Sequence, residues 1–320
     1  MNKLFFCISF FLFVHIHSMF SQAMMAPYWF YDNSYLTDKY IVNPAFAGEQ
    51  QHAKLFVSTN RMALILRESP AVHLAGMHGR LALGRKNNTQ YKYDLSKERN
   101  AAGGLVFADI NGPFQNIGVK LDYAHIVPLK SENTNLSFGI GGMFFSKRLI
   151  LNRYINESAD DPLIAASNGN KTMIPDFNAG VLFSHNGFYA GFSVSQLLEN
   201  SYRFSETNYS PAQVYRNYYL LAGKRFVYEI MEIEPSIAAG YNLAPESYSN
   251  NGRFVDLNVE FFLRPVVFTL SYRVDGFIGN SLLFRTSDLE LGVRWELFST
   301  NATDASYIGF GVTASYNFTM

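Results

Sequence analysis

Beyond residue 23 the chain carries five histidines, His52, His73, His78, His125 and His185, the side chains best suited to hold a metal or move a proton near neutral pH. Their spacing does not suit either task. His73 and His78 are five apart, which puts them on opposite faces of a strand. All five read as wall or loop residues. Asp160 and Asp161 offer half of a carboxylate pair or a calcium ligand, but Asp161 precedes Pro162, which favours an extended or turn backbone in a solvated loop. No G-x-S-x-G elbow, Walker loop or H-E-x-x-H is present. The Gly-rich run "FGIGGMFF" (Phe138 to Phe145) sits inside a strand pattern, where small residues permit bending or close packing. No nucleophile stands beside a base. The reading is a non-enzymatic protein, with no catalytic, metal or cofactor site.

The elements that position these residues are written in the alternation of the chain. In "IGVKLDYA", Ile117, Val119, Leu121 and Tyr123 face one way, and Gly118, Lys120, Asp122 and Ala124 the other. In "LNVEFFLR", Leu257, Val259, Phe261 and Leu263 alternate with Asn258, Glu260, Phe262 and Arg264. In "LELGVRWEL", Glu290, Gly292, Arg294 and Glu296 share the polar face. "IGFGVTASYNF" sets Ile308 to Phe318 against Gly309 to Asn317 in the same way. Strands of about nine to twelve residues, apolar on one side and charged or Gly-rich on the other, suit a tilted crossing of a bilayer around a polar lumen. The candidate lumen-facing charges are therefore Lys120, Asp122, Glu260, Arg264, Glu290, Arg294 and Glu296. Tyr and Phe near strand ends fit interfacial girdles.

The fold class is all-β: a transmembrane antiparallel up-and-down barrel of about 14 strands. They are expected near 53–59, 71–78, 101–109, 116–126, 134–146, 176–184, 187–195, 214–224, 228–240, 254–263, 266–274, 278–284, 287–297 and 306–318. An even number returns both ends of the barrel to the periplasmic side. The short links "HNG" (His185 to Gly187), "LRP" (Leu263 to Pro265) and "VDGF" (Val274 to Phe277) are expected there. The longer links 79–100, 147–175, 196–213 and 241–253 are expected outside.

Composition agrees. Charged residues are only 16%, below ordinary soluble domains, and the net charge is zero, so nothing points to nucleic acid. Residues 1–23 read as a signal peptide: Lys3, the apolar run Leu4 to Ile16, then Ser21 to Ala23 for cleavage. Cys7, the one cysteine, leaves with it, which excludes disulfides and Cys-based zinc sites from the remainder. Residues 53–320 form the barrel domain, and 24–52 precede it.

That preceding segment contains "YIVNPAFAG". Tyr40, Asn43, Pro44, Ala45, Phe46, Ala47 and Gly48 match the N-terminal signature of the PorP/SprF family, which this sequence resembles. The likeness continues in order through Gly103 to Leu129, Leu136 to Ser146, Asp160 to Pro162 and Pro175 to Asn200. "STNRMALILRESP" (Ser58 to Pro70) stands where the family usually shows Arg-Gln-Trp. The resemblance implies an outer-membrane barrel of the Bacteroidetes type IX secretion system. It implies support for secretion and surface attachment of a cargo, such as a gliding adhesin. The implied partners are outer-membrane lipid, a cargo C-terminal domain and periplasmic type IX components, including a peptidoglycan-binding lipoprotein. A passive porin is the alternative reading. Residues 24–52 are expected in the periplasm or the lumen. Pro44 fixes φ and turns the chain, while Ala45, Ala47 and Gly48 allow close backbone approach. Tyr40, Asn43, Pro44, Ala45, Phe46 and Gly48 are the candidate plug or partner-docking residues; a strap that protects one barrel end is the competing reading.

Overall fold

The computed structural model describes residues 33–50, 52–64, 69–81, 98–112, 114–131, 133–150, 171–202, 212–244, 253–274, 277–300 and 305–318. The proposed signal peptide, residues 24–32 and the Asp160-Asp161 pair lie outside them.

Fourteen strands form the barrel wall: β1 (Ala53–Arg61), β2 (Ala71–Arg80), β3 (Asn100–Asn111), β4 (Phe114–Pro128), β5 (Thr134–Leu149), β6 (Lys171–His185), β7 (Phe188–Ser195), β8 (Asn217–Lys224), β9 (Glu232–Asn242), β10 (Arg253–Leu263), β11 (Val266–Arg273), β12 (Phe277–Arg285), β13 (Leu289–Thr300) and β14 (Ala305–Phe318). Each pairs antiparallel with the next, and β14 closes on β1 from Ala53↔Phe318 to Arg61↔Phe310. Closure matters because a sheet edge in lipid would leave backbone groups without partners.

The alternation behaves as the sequence indicates. Ile117, Val119, Leu121 and Tyr123 of β4 point outward, Leu121 being 68% exposed, while Lys120, Asp122 and Ala124 are buried inside. Outward Ile308, Phe310, Val312, Tyr316 and Phe318 of β14 repeat this pattern. No helix among the described residues is long and apolar enough to cross a membrane.

Boundaries differ where proline or a turn misleads. β6 starts at Lys171 and runs through Pro175, above the level where β7 ends (Asn178↔Ser195). Paired on one side only, the strand tolerates proline there. β9 starts at Glu232, because residues 228–231 belong to a hairpin turn.

Sorting the links by length holds only in part. The rim that carries Ala53 and Phe318 also carries the short connections 186–187, 225–231, 264–265 and 286–288, the strand ends Pro128 and Thr134, and the strand ends Arg80 and Asn100, which a long link joins. Arg273 and Phe277 stand at the opposite rim, as do Leu149 and Lys171, Ser195 and Asn217, and Asn242 and Arg253, the strand ends joined through the other long links. In an up-and-down barrel the side of a connection is set by its place in the chain order, not by its length. The prevalence of short turns makes the terminus-bearing rim the periplasmic one.

Candidate functional site

Residues 33–50 lie inside the barrel. Three short 3-10 helices, Asn33–Leu36, Lys39–Ile41 and Pro44–Phe46, carry the segment from the level of Arg273 and Gly279 down to the terminus-bearing mouth. Nothing here has strand or α-helical periodicity. The second and third turns are each started by a side-chain N-cap instead. Asp38 accepts from the Tyr40 N–H at 3.0 Å, and Asn43 accepts from the Ala45 N–H at 2.9 Å with Pro44 at the first helical position.

Tyr40, Ile41, Val42, Ala45, Phe46 and Ala47 are buried against inward residues of the wall, including Phe56, Met143, Leu182 and Tyr189. Burying each of the large side chains is worth about 1.5–3 kcal/mol. The Tyr40 ring stacks on His78 at 4.8 Å and has the Lys120 ammonium 4.7 Å from its centroid. Burial first, and then the Asp122 carboxylate, push the Tyr40 phenol far above the ordinary tyrosine range, so it stays protonated. Phe46 meets Tyr189 edge-on at 5.8 Å.

The wall is cut to receive this segment. A Cβ on Gly103 would come within 2.5 Å of Tyr40 Cζ. A Cβ on Gly139 would overlap the Pro44–Ala45 peptide, and one on Gly180 would overlap the Asn43 amide. Gly139 and Gly180 are paired across the β5–β6 ladder, so together they make one flat seat for the Asn-Pro-Ala turn. Gly48 has φ +70°, the left-handed region that favours glycine, where the segment bends toward β1. Its carbonyl accepts from Arg80 Nε at 2.7 Å.

Polar contacts fix the rest. Asn43 Nδ2 donates to the carbonyls of Val181 (3.2 Å) and Phe192 (3.3 Å), a facing pair on β6 and β7. Lys120 Nζ donates to the carbonyls of Tyr40 (3.3 Å) and Ile41 (3.0 Å) and pairs with Asp122 at 3.3 Å. Ser193 Oγ donates to the Val42 carbonyl at 2.8 Å. Asp38 lies 3.1 Å from His78 Nε2 and 3.3 Å from Lys54 Nζ. Burial opposes its ionisation, but the His78 ring and the Lys54 ammonium beside it prevail and hold the carboxyl well below the usual carboxylate range. Near the far rim Tyr35 Oη donates to Asp256 Oδ2 at 2.8 Å, and Arg273 binds both oxygens of Asp256 at 2.6 and 2.8 Å while donating to Asn33 Oδ1 at 3.1 Å.

The candidate lumen charges fall as follows. Lys120 and Asp122 touch the segment as described. Arg294 donates to Thr37 Oγ1 at 2.8 Å. Glu290 meets Lys54 at 3.5 Å and Arg285 at 2.6 Å, and Glu296 accepts from Asn60 at 3.2 Å. Glu260 is half-buried across the ladder from Glu234. Arg264 departs from the expectation: it stands in the β10–β11 turn, its side chain 89% exposed beside Glu232. Alternation would turn Arg264 inward only in a strand that ran on past Leu263, where β10 ends.

Sequence reasoning missed Asp38, His78, Lys54, Arg273 and Asp256. For His78, Lys54, Arg273 and Asp256 the available signal was a charge or histidine on the inward face of a strand, whereas Asp38 stands in the lumen segment, ahead of the 3-10 turn Lys39–Ile41. His73 illustrates the contrast: it points outward and pairs with Thr59 at 2.6 Å. Among the described residues no His/Cys/Asp/Glu group is arranged to hold a metal.

A sequence-family description of the type IX secretion system membrane protein PorP/SprF matches residues 26–316. No curated protein matches the chain. Its barrel resembles solved outer-membrane β-barrels. The TodX monoaromatic hydrocarbon channel (deltaS2 mutant) aligns at TM-score 0.48 and 7% identity, over 88% of this chain and 93% of that one. Omp33 of Acinetobacter baumannii aligns at 0.42 and 10%, over 83% and 98%. The NanC porin aligns at 0.41 and 8%, over 83% and 100%. These likenesses carry no functional argument. The family match spans nearly the whole chain, and the chain belongs to the PorP/SprF family of type IX secretion system membrane proteins.

Proposed function

We propose that this protein is a plugged, non-enzymatic barrel that supports secretion and surface attachment of a type IX cargo, such as a gliding adhesin, through contacts with the cargo C-terminal domain and with periplasmic components of the system, a peptidoglycan-binding lipoprotein among them. The carrying observation is the buried segment 33–50, which fills the interior with shape-matched and ion-paired contacts. A passive porin needs an open lumen, so this filling counts against the porin reading. The contacts also favour a plug over a strap, since they line the interior rather than one end.

The test is purification from outer membranes in mild detergent under native expression, with mass spectrometry of what accompanies the barrel. Stoichiometric recovery of a cargo C-terminal domain or of periplasmic type IX proteins supports the reading. A solitary barrel with large single-channel conductance sinks it. Deleting residues 27–48 separates plug from strap. Loss of cargo display with a heat-modifiable barrel retained supports the plug, and loss of the barrel itself supports the strap.

A further inference from the structure

The outer wall is not evenly convex. Across β1, β14, β13, β12 and β11 the register sets outward Val57, Ala314, Leu291, Phe284 and Val266 side by side in one row. The next outward row, toward the far rim, is Thr59, Val312, Val293 and Leu282. Together the two rows line a cavity of about 600 Å³ on the outer face. The rows on either side account for it. On β14 and β13, Tyr316 faces Leu289 on the periplasmic side, and Phe310 faces Trp295 on the far side. Between these ridges the floor at β14 and β1 is alanine, valine and threonine, side chains too short to bring the surface level.

The groove is chemically plain. The residues lining it carry no charge. Thr59 Oγ1 is held by His73 Nδ1 at 2.6 Å, and the Thr313 hydroxyl donates to the Val57 carbonyl at 3.2 Å. The strand ladder beneath runs unbroken from β1 through β14 to β11 and takes up the backbone groups. An occupant therefore has hydrocarbon to meet and little to hydrogen-bond. Within a bilayer no water is expelled on contact, so the gain is van der Waals packing, which an unfilled groove forfeits.

The groove also has a direction. Val266 is the first residue of β11, directly after the turn at the periplasmic rim, whereas Val57 is the fifth of nine residues in β1, halfway up the wall. Five strands spaced about 4.8 Å apart make the row about 19 Å long. With strands tilted about 40°, the row climbs about 12 Å, close to the roughly 15 Å of half a hydrocarbon core. A groove that starts at the periplasmic rim and ends at mid-membrane has the origin and reach of one acyl chain of the periplasmic leaflet. It is continuous with the wall that lipid already covers. A transmembrane helix stands about 20° from the membrane normal and this row about 50°, so a helix would cross the groove and leave most of it empty.

We propose that this groove is a binding site for one acyl chain of a phospholipid of the periplasmic leaflet. The chain lies between the Tyr316 ridge and the Phe310–Trp295 ridge, its carboxyl end at Val266 and its methyl end at Val57 and Thr59. The site sets one held lipid apart from the lipid that exchanges over the rest of the wall.

Native mass spectrometry of the full-length barrel, stripped of lipid in mild detergent and then offered palmitoyl-oleoyl phosphatidylethanolamine, tests this. The expected result is one bound phospholipid per barrel. Ala314→Phe fills the floor and should lower the bound fraction by about tenfold or more, with Ala314→Leu acting in the same direction. Val119→Phe, on the outward face of β4, should leave it unchanged. These substituted side chains point into detergent, so each variant should keep a heat-modifiable barrel. The photoreactive residue p-benzoylphenylalanine should attach near the carboxyl end of the chain from position 266 and near the methyl end from position 57. No bound phospholipid on the parent, equal binding by Ala314→Phe, an equal loss in Val119→Phe, the reverse order of attachment, displacement of the phospholipid by an equal amount of lipid A, or a pair of barrels that Ala314→Phe dissociates would each overturn the proposal.

Discussion

Asn43→Ala tests whether the lumen segment is a separable plug. Asn43 is buried and does three things at once: it caps the turn over Ala45 N–H, and it donates to the Val181 and Phe192 carbonyls. Losing the cap costs about 1 kcal/mol, and losing each wall hydrogen bond costs about 0.5–1.5 kcal/mol net. The sum is about 2–4 kcal/mol against docking, which is about 30- to 800-fold in the docking equilibrium. Cleavage by trypsin after Lys39 reads this directly. Lys39 is half-buried and paired with Glu234 at 3.2 Å, so a protease reaches its backbone only when the segment has left the wall. When redocking is faster than cutting, the cleavage rate follows the undocked population. Mass spectrometry isolates this cut from cuts in the connections, and Leu121→Ala, on the lipid face, serves as the comparison. The expected rate rises by the fold calculated above. A rate within roughly twofold of the parent, the about 0.5 kcal/mol scatter of surface substitutions, would refute the assignment of Asn43 as the anchor. Loss of the barrel on Asn43→Ala would refute the separability of the plug.

Gly103→Leu should expel the segment by sterics. A Cβ there sits 2.5 Å from Tyr40 Cζ, and the ring is already held between His78 and Lys120. Planar-bilayer recordings should show a larger conductance than the parent, and an unchanged closed barrel would count against the seat. The Asp38 carboxyl is held below its ordinary pKa, so its contribution is present above about pH 4 and fades as pH falls below that value toward the depressed one. Conductance of the parent should rise on acidification below about pH 4, and Asp38→Asn should remove that component; an identical pH profile in the variant would exclude Asp38 as its source. Arg273→Met leaves Asp256 fully buried without its two-point partner and should cost about 3–5 kcal/mol, seen as a lower temperature of the heat-modifiable mobility shift. Adding Asp256→Asn should restore most of the loss, and failure to do so would show that the pair does not carry the effect.

The wall was legible because its physics is local. A strand between lipid and lumen must alternate, so Leu121 against Lys120 and Phe310 against Gly311 announce their faces within a few residues. The side of each link was not legible from its length, as Val274 to Phe277 and 81–99 show, because it depends on counting every strand before it. Arg264 failed for a related reason: alternation says nothing about where a strand stops, and one residue decides between lumen and rim. The lumen segment shows the opposite balance. Its own residues, Tyr40 through Gly48, stand together in the chain and carry a signature. The surface they meet is scattered over β3, β5, β6 and β7 as Gly103, Gly139, Gly180 and Gly191. Read singly, each is a residue that weakens a strand. Their common purpose emerges only when the register pairs Gly139 with Gly180 and sets the Asn43 amide where a side chain on either β6 or β7 would stand. The same holds for charge. Asp38, Lys54, His78 and Glu290 are far apart in sequence, yet Lys54 bridges Asp38 and Glu290 within 3.5 Å. Buried charges such as these are tolerated only when every partner arrives. The wall charges that meet the segment are therefore a mould of it, and removing the segment must either flood the lumen with water or oblige another chain to supply the missing partners.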